Sequence, residues 1–212
     1  MGKTAIFGGT FNPIHSGHLR LCSVCCNKLG IEKAMLIPAN VPPHKAAKQL
    51  AANEDRLAMC RLAVKDMPYV TVSDMEMTAG GKSYTVLTMR RLKEEHPDEH
   101  YYFVMGTDMF LCFDRWYEWL EILNYCDLAV SVRKADEYEK ILAKKEELFA
   151  AYPHLRRDCV HTVDADCIDI SSTELRTMLE QNDLRLKEYL PDAVYAYIKE
   201  HGLYQAKEGD AE

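Results

Sequence analysis

The feature that most constrains this chain is an alternation of short apolar runs with longer segments of helical period. Strands are expected at residues 3–7, 34–38, 70–73, 101–105, 128–132 and 160–163. Helices are expected at 17–29, closed by Gly30, at 54–65 and at 84–95, with an Asp136-capped helix running to about residue 151. Two more follow Ser171 and Pro191, and Gly202 fits the usual glycine just past a helix end. Strands that alternate with helices in this way form a parallel sheet covered on both faces, so the fold class is α/β, a single Rossmann-like domain. With no internal repeat, low-complexity tract or Pro/Gly/Ser-rich linker, the domain is expected to cover 1–206, with 207–212 a solvated tail.

Composition narrows the setting. At 48% hydrophobic over 212 residues the chain can bury a substantial core. A formal net charge of −7 argues against nucleic acid as a partner, because a broad basic face is needed to neutralise its phosphates. An anionic ligand must therefore meet a local positive site. Neither an N-terminal apolar leader nor a run of 18 apolar residues is present, so no membrane partner and a cytoplasmic location are expected. The eight cysteines fall mostly inside apolar segments and read as reduced, buried thiols. Cys22-Ser-Val-Cys25 has no second pair at zinc spacing, and no protein metal ligand is expected.

The stretch "GGTFNPIHSGHL", residues 8–19, is the first strand-to-helix connection, the usual phosphate site of an open parallel sheet. Gly8 and Gly9 remove side chains where a phosphate could approach the backbone, and Pro13 stiffens the turn. The following helix offers N–H groups and a positive dipole end, and His15 and His18 fall at its mouth as donors to phosphate oxygens. No G-x-G-x-x-G or G-x-x-x-x-G-K-[ST] pattern is present, so dehydrogenase and kinase readings lose support. In "ISSTELR", residues 170–176, Ser171 and Glu174 have capping-box spacing, and Arg176 lies one to two turns in, within reach of an anion at the helix start.

"GGTFNPIHSGH" resembles the H-x-G-H signature of the nucleotidylyltransferase superfamily, and "ISSTELR" is similar to the I-S-S-T-x-x-R signature with which its adenylyltransferases hold ATP phosphates. "PANVPPHK" (38–45), "SYTVLTMRRL" (83–92) and "GTDMFLCFDRW" (106–116) resemble, in order and spacing, bacterial nicotinate mononucleotide adenylyltransferases, and the likeness spans residues 3 to about 205. It implies an H-x-G-H-type fold and adenylyl transfer from ATP to nicotinate mononucleotide, giving deamido-NAD and pyrophosphate. His15, His18, Lys45 and Arg176 would be catalytic. ATP would meet Gly8, Gly9, Thr10, Phe11, His18, Ile170, Ser171, Ser172 and Arg176. The mononucleotide would meet Lys45, Tyr84, Thr85, Gly106, Asp108, Trp116 and Arg133. Mg²⁺ would ride on the ATP phosphates.

An acceptor phosphate ionised at pH 7 needs no general base, so in-line attack without a covalent intermediate can rest on positioning and charge stabilisation. Ser83 reads as a helix cap with Tyr84-Thr85 as the first turn, a terminus that suits the pyridine carboxylate. In relatives this block and the Trp116 position hold the ring, while Trp119 lies on the same helix-like segment and one of the two must face inward. Asn12, Leu87 and Thr107 depart from the residues relatives usually carry, and none removes a phosphate ligand. Phosphopantetheine adenylyltransferases share H-x-G-H but are usually shorter and lack the middle blocks. A binding module without chemistry would be expected to lose His18 or Arg176, and a class I synthetase needs a lysine-rich second signature. A homo-oligomer is compatible with everything above.

Overall fold

The computed structural model describes residues 2–41, 49–165, 168 and 170–205, leaving Lys45, Cys167 and the 207–212 tail outside the described residues. Its six strands are β1 (Lys3–Gly9), β2 (Lys33–Pro38), β3 (Val70–Val72), β4 (His100–Gly106), β5 (Cys126–Val132) and β6 (Val160–Asp164). They form one sheet in the order β3-β2-β1-β4-β5-β6, and every pairing is parallel. The helices are α1 (Ser16–Leu29), α2 (Asn53–Ala63), α3 (Met75–Ala79), α4 (Thr85–Glu95), α5 (Thr107–Leu111), α6 (Trp119–Tyr125), α7 (Ala135–Ala151), α8 (Ser172–Glu180), α9 (Leu186–Tyr189) and α10 (Asp192–Glu200).

Strand period sorts the core into two layers. Ala5, Phe7, Leu36 and Val104 point to one face, where Cys22 and Cys25 of α1, Met59 of α2, Leu175 of α8 and Val194 of α10 cover them. Ile6, Ile37, Phe103 and Met105 point to the other, under Val86 and Met89 of α4, Ile122 of α6 and Ile141 of α7. The expected Rossmann-like α/β sheet with helices on both faces is what forms. Cys22, Cys25, Cys26, Cys60, Cys126 and Cys159 are buried and unbridged, and Cys112 is half-buried. Among the described residues no helix is long and apolar enough to cross a membrane.

The structure corrects several local expectations. α3, α5 and α9 are too short to show a helical period and were not expected, and the helix-like segment read to hold both tryptophans begins, as α6, only at Trp119. Asp136 does not cap α7: Lys134 occupies that position, and Asp136 stands in the first turn bonded to Lys140 (2.7 Å). Along that helix Ile141, Leu148 and Phe149 are buried, while the apolar Tyr138 and Leu142 are largely exposed. Nor does Ser83 cap α4. Tyr84 takes the cap position, because the Ser83 hydroxyl is taken by the Asn40 N–H (2.9 Å) and by Glu76.

Strand order reverses at β1, which has β2 on one side and β4 on the other, so a crevice opens beyond the carboxyl ends of β1 and β4. The segment from α10 to Tyr204 returns to this place. α10 packs on α2, and the buried Tyr204 hydroxyl donates to Asn12 Oδ1 (2.7 Å) in the connection between β1 and α1.

Candidate active site

β1 runs on through Gly8 and Gly9 rather than ending before them, so the connection to α1 is short and is pinned by two apolar anchors, Phe11 and Ile14, both almost fully buried. Each such burial contributes about 1.5–3 kcal/mol. Phe11 adopts a left-handed backbone (φ 47), and Asn12-Pro13 is cis. Gly9 is needed for a reason different from phosphate access: a Cβ there would lie 2.9 Å from the Phe11 ring. Gly17 is required in the same way, since its Cβ would meet the His15 ring at 3.0 Å and the Ile168 carbonyl at 3.1 Å.

The two histidines are not equivalent. His15 is the cap residue of α1 and is 4% exposed, and its Nδ1 is buried without a hydrogen-bond partner among the described residues. Burial, reinforced by the charge of Arg133 and opposed by Glu174, lowers its pKa to about 4, so the ring is neutral at pH 7. His18 is half-buried, with its ring 3.7 Å from His15 and edge-on to Phe11 at 5.1 Å. The His15 N–H donates to His18 Nδ1 (3.3 Å), which in the neutral ring puts the proton on Nε2. Nε2–H is thereby the ring donor of His18 in its neutral form.

α8 is brought against this connection by direct bonds. Ser171 and Glu174 form the expected reciprocal cap, with Glu174 N–H donating to Ser171 Oγ (3.1 Å) and Ser171 N–H to Glu174 Oε2 (2.8 Å). Ser172 Oγ donates to the Pro13 carbonyl (2.9 Å), and Arg176 Nη1 to the Asn12 carbonyl (2.8 Å). Ile170 packs against the core beside them. The two signature blocks, more than 150 residues apart in sequence, therefore share one rim.

A second group of expected residues gathers past β4. A Cβ on Gly106 would lie 2.8 Å from Asp108 Oδ1 and 3.9 Å from Arg133 Nη2, so the three crowd one spot. Thr107 donates to the Ser131 carbonyl (2.8 Å) and to Glu137 Oε2 (2.9 Å), and the Arg133 N–H also donates to that oxygen (2.7 Å). α4 carries no side-chain cap among the described residues; its Leu87 N–H bonds the Tyr84 carbonyl (3.0 Å), so the N–H groups of Thr85 and Val86 are the ones left without an intrahelical acceptor. Tyr84 stacks at a tilt on the exposed Tyr117, with centroids 4.8 Å apart. Trp119 is the inward tryptophan; Trp116 lies in the loop before α6, half-buried and edge-on to Phe103 and Phe113. Leu87 is exposed on α4.

Sequence reasoning missed Arg56, Asn40 and Tyr204, and treated Asn12 only as a departure. Asn12 Nδ2 donates to the Gln49 carbonyl and its Oδ1 accepts from the Ala51 N–H (both 3.0 Å), a pairing in which the amide donor is needed. The unusual composition of this stretch was the one available signal.

Residues 6–178 match the cytidylyltransferase-like family model. A probable nicotinate-nucleotide adenylyltransferase of Geotalea daltonii is 37% identical, covering 95% of this chain and 98% of the relative. One from Dehalococcoides mccartyi is 37% identical, covering 97% and 98%. Among solved structures, the nicotinic acid mononucleotide adenylyltransferase of Plasmodium falciparum complexed with NaAD superposes with a TM-score of 0.75 at 22% identity, covering 96% of this chain and 98% of that one. The same enzyme complexed with APC gives 0.74.

Proposed function

The chain belongs to the cytidylyltransferase-like family and, within it, to the nicotinate-nucleotide adenylyltransferases, and from that premise we propose that it joins ATP and nicotinate mononucleotide into deamido-NAD with release of pyrophosphate. The observation that carries the reading is the shared rim at the strand-order reversal, where His15, His18 and Arg176 surround a loop backed by α1. The acceptor phosphate attacks the ATP α-phosphorus in line, and the leaving pyrophosphate gathers charge. His18 Nε2–H and the α1 N-terminus stabilise that charge as it builds. His15, neutral by burial, supports the cap and the ring stack rather than supplying a proton. Arg176 reaches the triphosphate from above the Asn12 carbonyl, with Ile170, Ser171 and Ser172 alongside. Gly8, Gly9, Thr10 and Phe11 line the approach, and Lys45, outside the described residues, adds a cation.

Imidazole and backbone donors suit anionic phosphate oxygens rather than a dedicated cation cage. Mg²⁺ would accordingly travel on the ATP phosphates and neutralise them there. On the acceptor side the uncapped start of α4 at Thr85 takes the pyridine carboxylate, Trp116 and Tyr84 border the ring, and Gly106, Asp108 and Arg133 face the ribose and phosphate. The enzyme is expected to work in the cytoplasm.

Pyrophosphate release with ATP and a panel of acceptors tests this. An amide in place of the carboxylate loses the charge and turns an NH₂ toward N–H donors, at about 1–3 kcal/mol, or roughly 5–150-fold in kcat/KM. Equal use of the amide mononucleotide would overturn the acceptor, and preference for phosphopantetheine would overturn the family branch.

A further inference from the structure

Arg56 of α2 is fully buried, yet no carboxylate pairs with it among the described residues. A cation taken out of water without an opposite charge is costly unless every donor is answered. Here the answers are neutral oxygens from separate segments. Nη1 donates to the Thr10 carbonyl (2.8 Å), Nη2 to the Asn40 carbonyl (3.3 Å) and to Asn53 Oδ1, and Nε to the Ala51 carbonyl (3.3 Å).

Those segments are the two sides of the site. Thr10 opens the connection that leads to His15 and His18. Asn40, past β2, is tied onward to the acceptor side: its N–H donates to Ser83 Oγ and its Nδ2 to the Gly81 carbonyl (both 2.9 Å), directly before the start of α4. A bridge between Val41 and Lys82 and the Ser83 N–H to the Val41 carbonyl (3.1 Å) lie beside these bonds. Asn53 closes the hub by donating to Asn40 Oδ1. One guanidinium thus holds a continuous chain of bonds from the α1 connection to the α4 N-terminus. A lysine, with a point charge and no planar fork, cannot reach four acceptors set in different directions.

We propose that Arg56 is a positioning residue that fixes the register between the ATP-phosphate loop and the acceptor-binding start of α4. It touches neither substrate. The inference rests on the function proposed above for those two regions. What it sets is the distance and angle between two bound molecules, and a displacement near 1 Å in such a pair can cost on the order of 10²-fold in rate.

The signature is a split between binding and turnover. Arg56→Lys is expected to lower kcat by about thirtyfold, while the Kd of ATP alone and of the acceptor alone, by calorimetry, each weaken less than about threefold. Asn53→Ala, which removes one acceptor and the link to Asn40 but leaves the charge, is expected to repeat the split at about fivefold. Thermal melting reports the folded fraction of both variants. Should Arg56→Lys not fold, the split in Asn53→Ala decides the matter alone. Three results would overturn the proposal: an unchanged kcat, a Kd for either substrate that weakens as much as kcat falls, or a rate loss equal to the loss of folded protein. Because kcat and Kd are compared for whichever mononucleotide the parent uses, failure of the split is read separately from failure of the acceptor assignment.

Discussion

The two ends of the sheet handle buried polar groups in opposite ways. At the amino ends, His100 of β4 and His161 of β6 both turn Nε2 to Asp127 Oδ2 on β5, at 3.0 and 3.2 Å, and Arg156 closes on the other oxygen. Burial alone would raise the Asp127 pKa, but the bonds from His161 and His100 and the charge of Arg156 outweigh it and hold the group at about 2. A cavity of about 670 Å³ adjoins this cluster. At the carboxyl ends, His15 keeps a buried Nδ1 without a hydrogen-bond partner among the described residues, and α4 begins without a side-chain cap among them. Pairing separates the two ends: the protein itself answers the Asp127 carboxylate, whereas described residues answer neither the His15 Nδ1 nor, by a side-chain cap, the start of α4.

The contrast can be broken most sharply at His18. His18→Ala is expected to lower kcat by about 10²–10³ with an unchanged melting temperature, the loss typical of one preorganised donor. Turnover within threefold of the parent would remove His18 from the chemistry. Asp127→Ala is the mirror image, with about 3 kcal/mol lost from stability in denaturant titration and kcat retained. A matching fall in kcat for the folded protein would mean that the two ends are not independent. Arg176→Ala follows, raising the KM for ATP about tenfold or more through loss of a charge-assisted contact, with Lys only partly restoring it. An unchanged ATP dependence would make Arg176 a brace for the Asn12 carbonyl and nothing more.

A last test sharpens the comparison by pH. His15 has a folded pKa of about 4 against an ordinary 6.5, so the unfolded chain binds the proton first and stability falls as pH drops from about 6.5 to 4. The slope stays under about 1.4 kcal/mol per pH unit. Asp127, with a folded value of about 2 against 3.8, contributes fully above pH 3.8 and is lost only as pH falls through 2. The ends should thus titrate in separate windows. His15→Asn flattens the upper one and leaves the lower in place; a curve unaltered between pH 6.5 and 4 would contradict the burial assigned to His15.

What the sequence disclosed depended on how local the deciding contacts are. Ser171 and Glu174 cap α8 through three residues of separation, and the pattern was readable. The strands were readable because burial on both faces leaves runs with little polarity. Ser83 looked equally like a cap, but an N–H at Asn40, distant in the chain, competes for its hydroxyl. Arg56 went unnoticed, since the carbonyls that satisfy it come from Thr10, Asn40 and Ala51 and leave no trace in composition. Trp116 fell in a loop because the helix on which it was expected starts three residues later. The H-x-G-H block announced its glycine, yet the reason, an imidazole packed against the backbone at Gly17, is visible only in three dimensions.

The hydroxyl that Tyr204 lends to Asn12 crosses 192 positions of chain. During synthesis the ribosome delivers β1 and its loop first, and every signature residue through Arg176 follows well before Tyr204 emerges from the exit tunnel. A nascent or prematurely terminated chain can therefore hold the complete set of reactive groups around a loop still missing its final clasp.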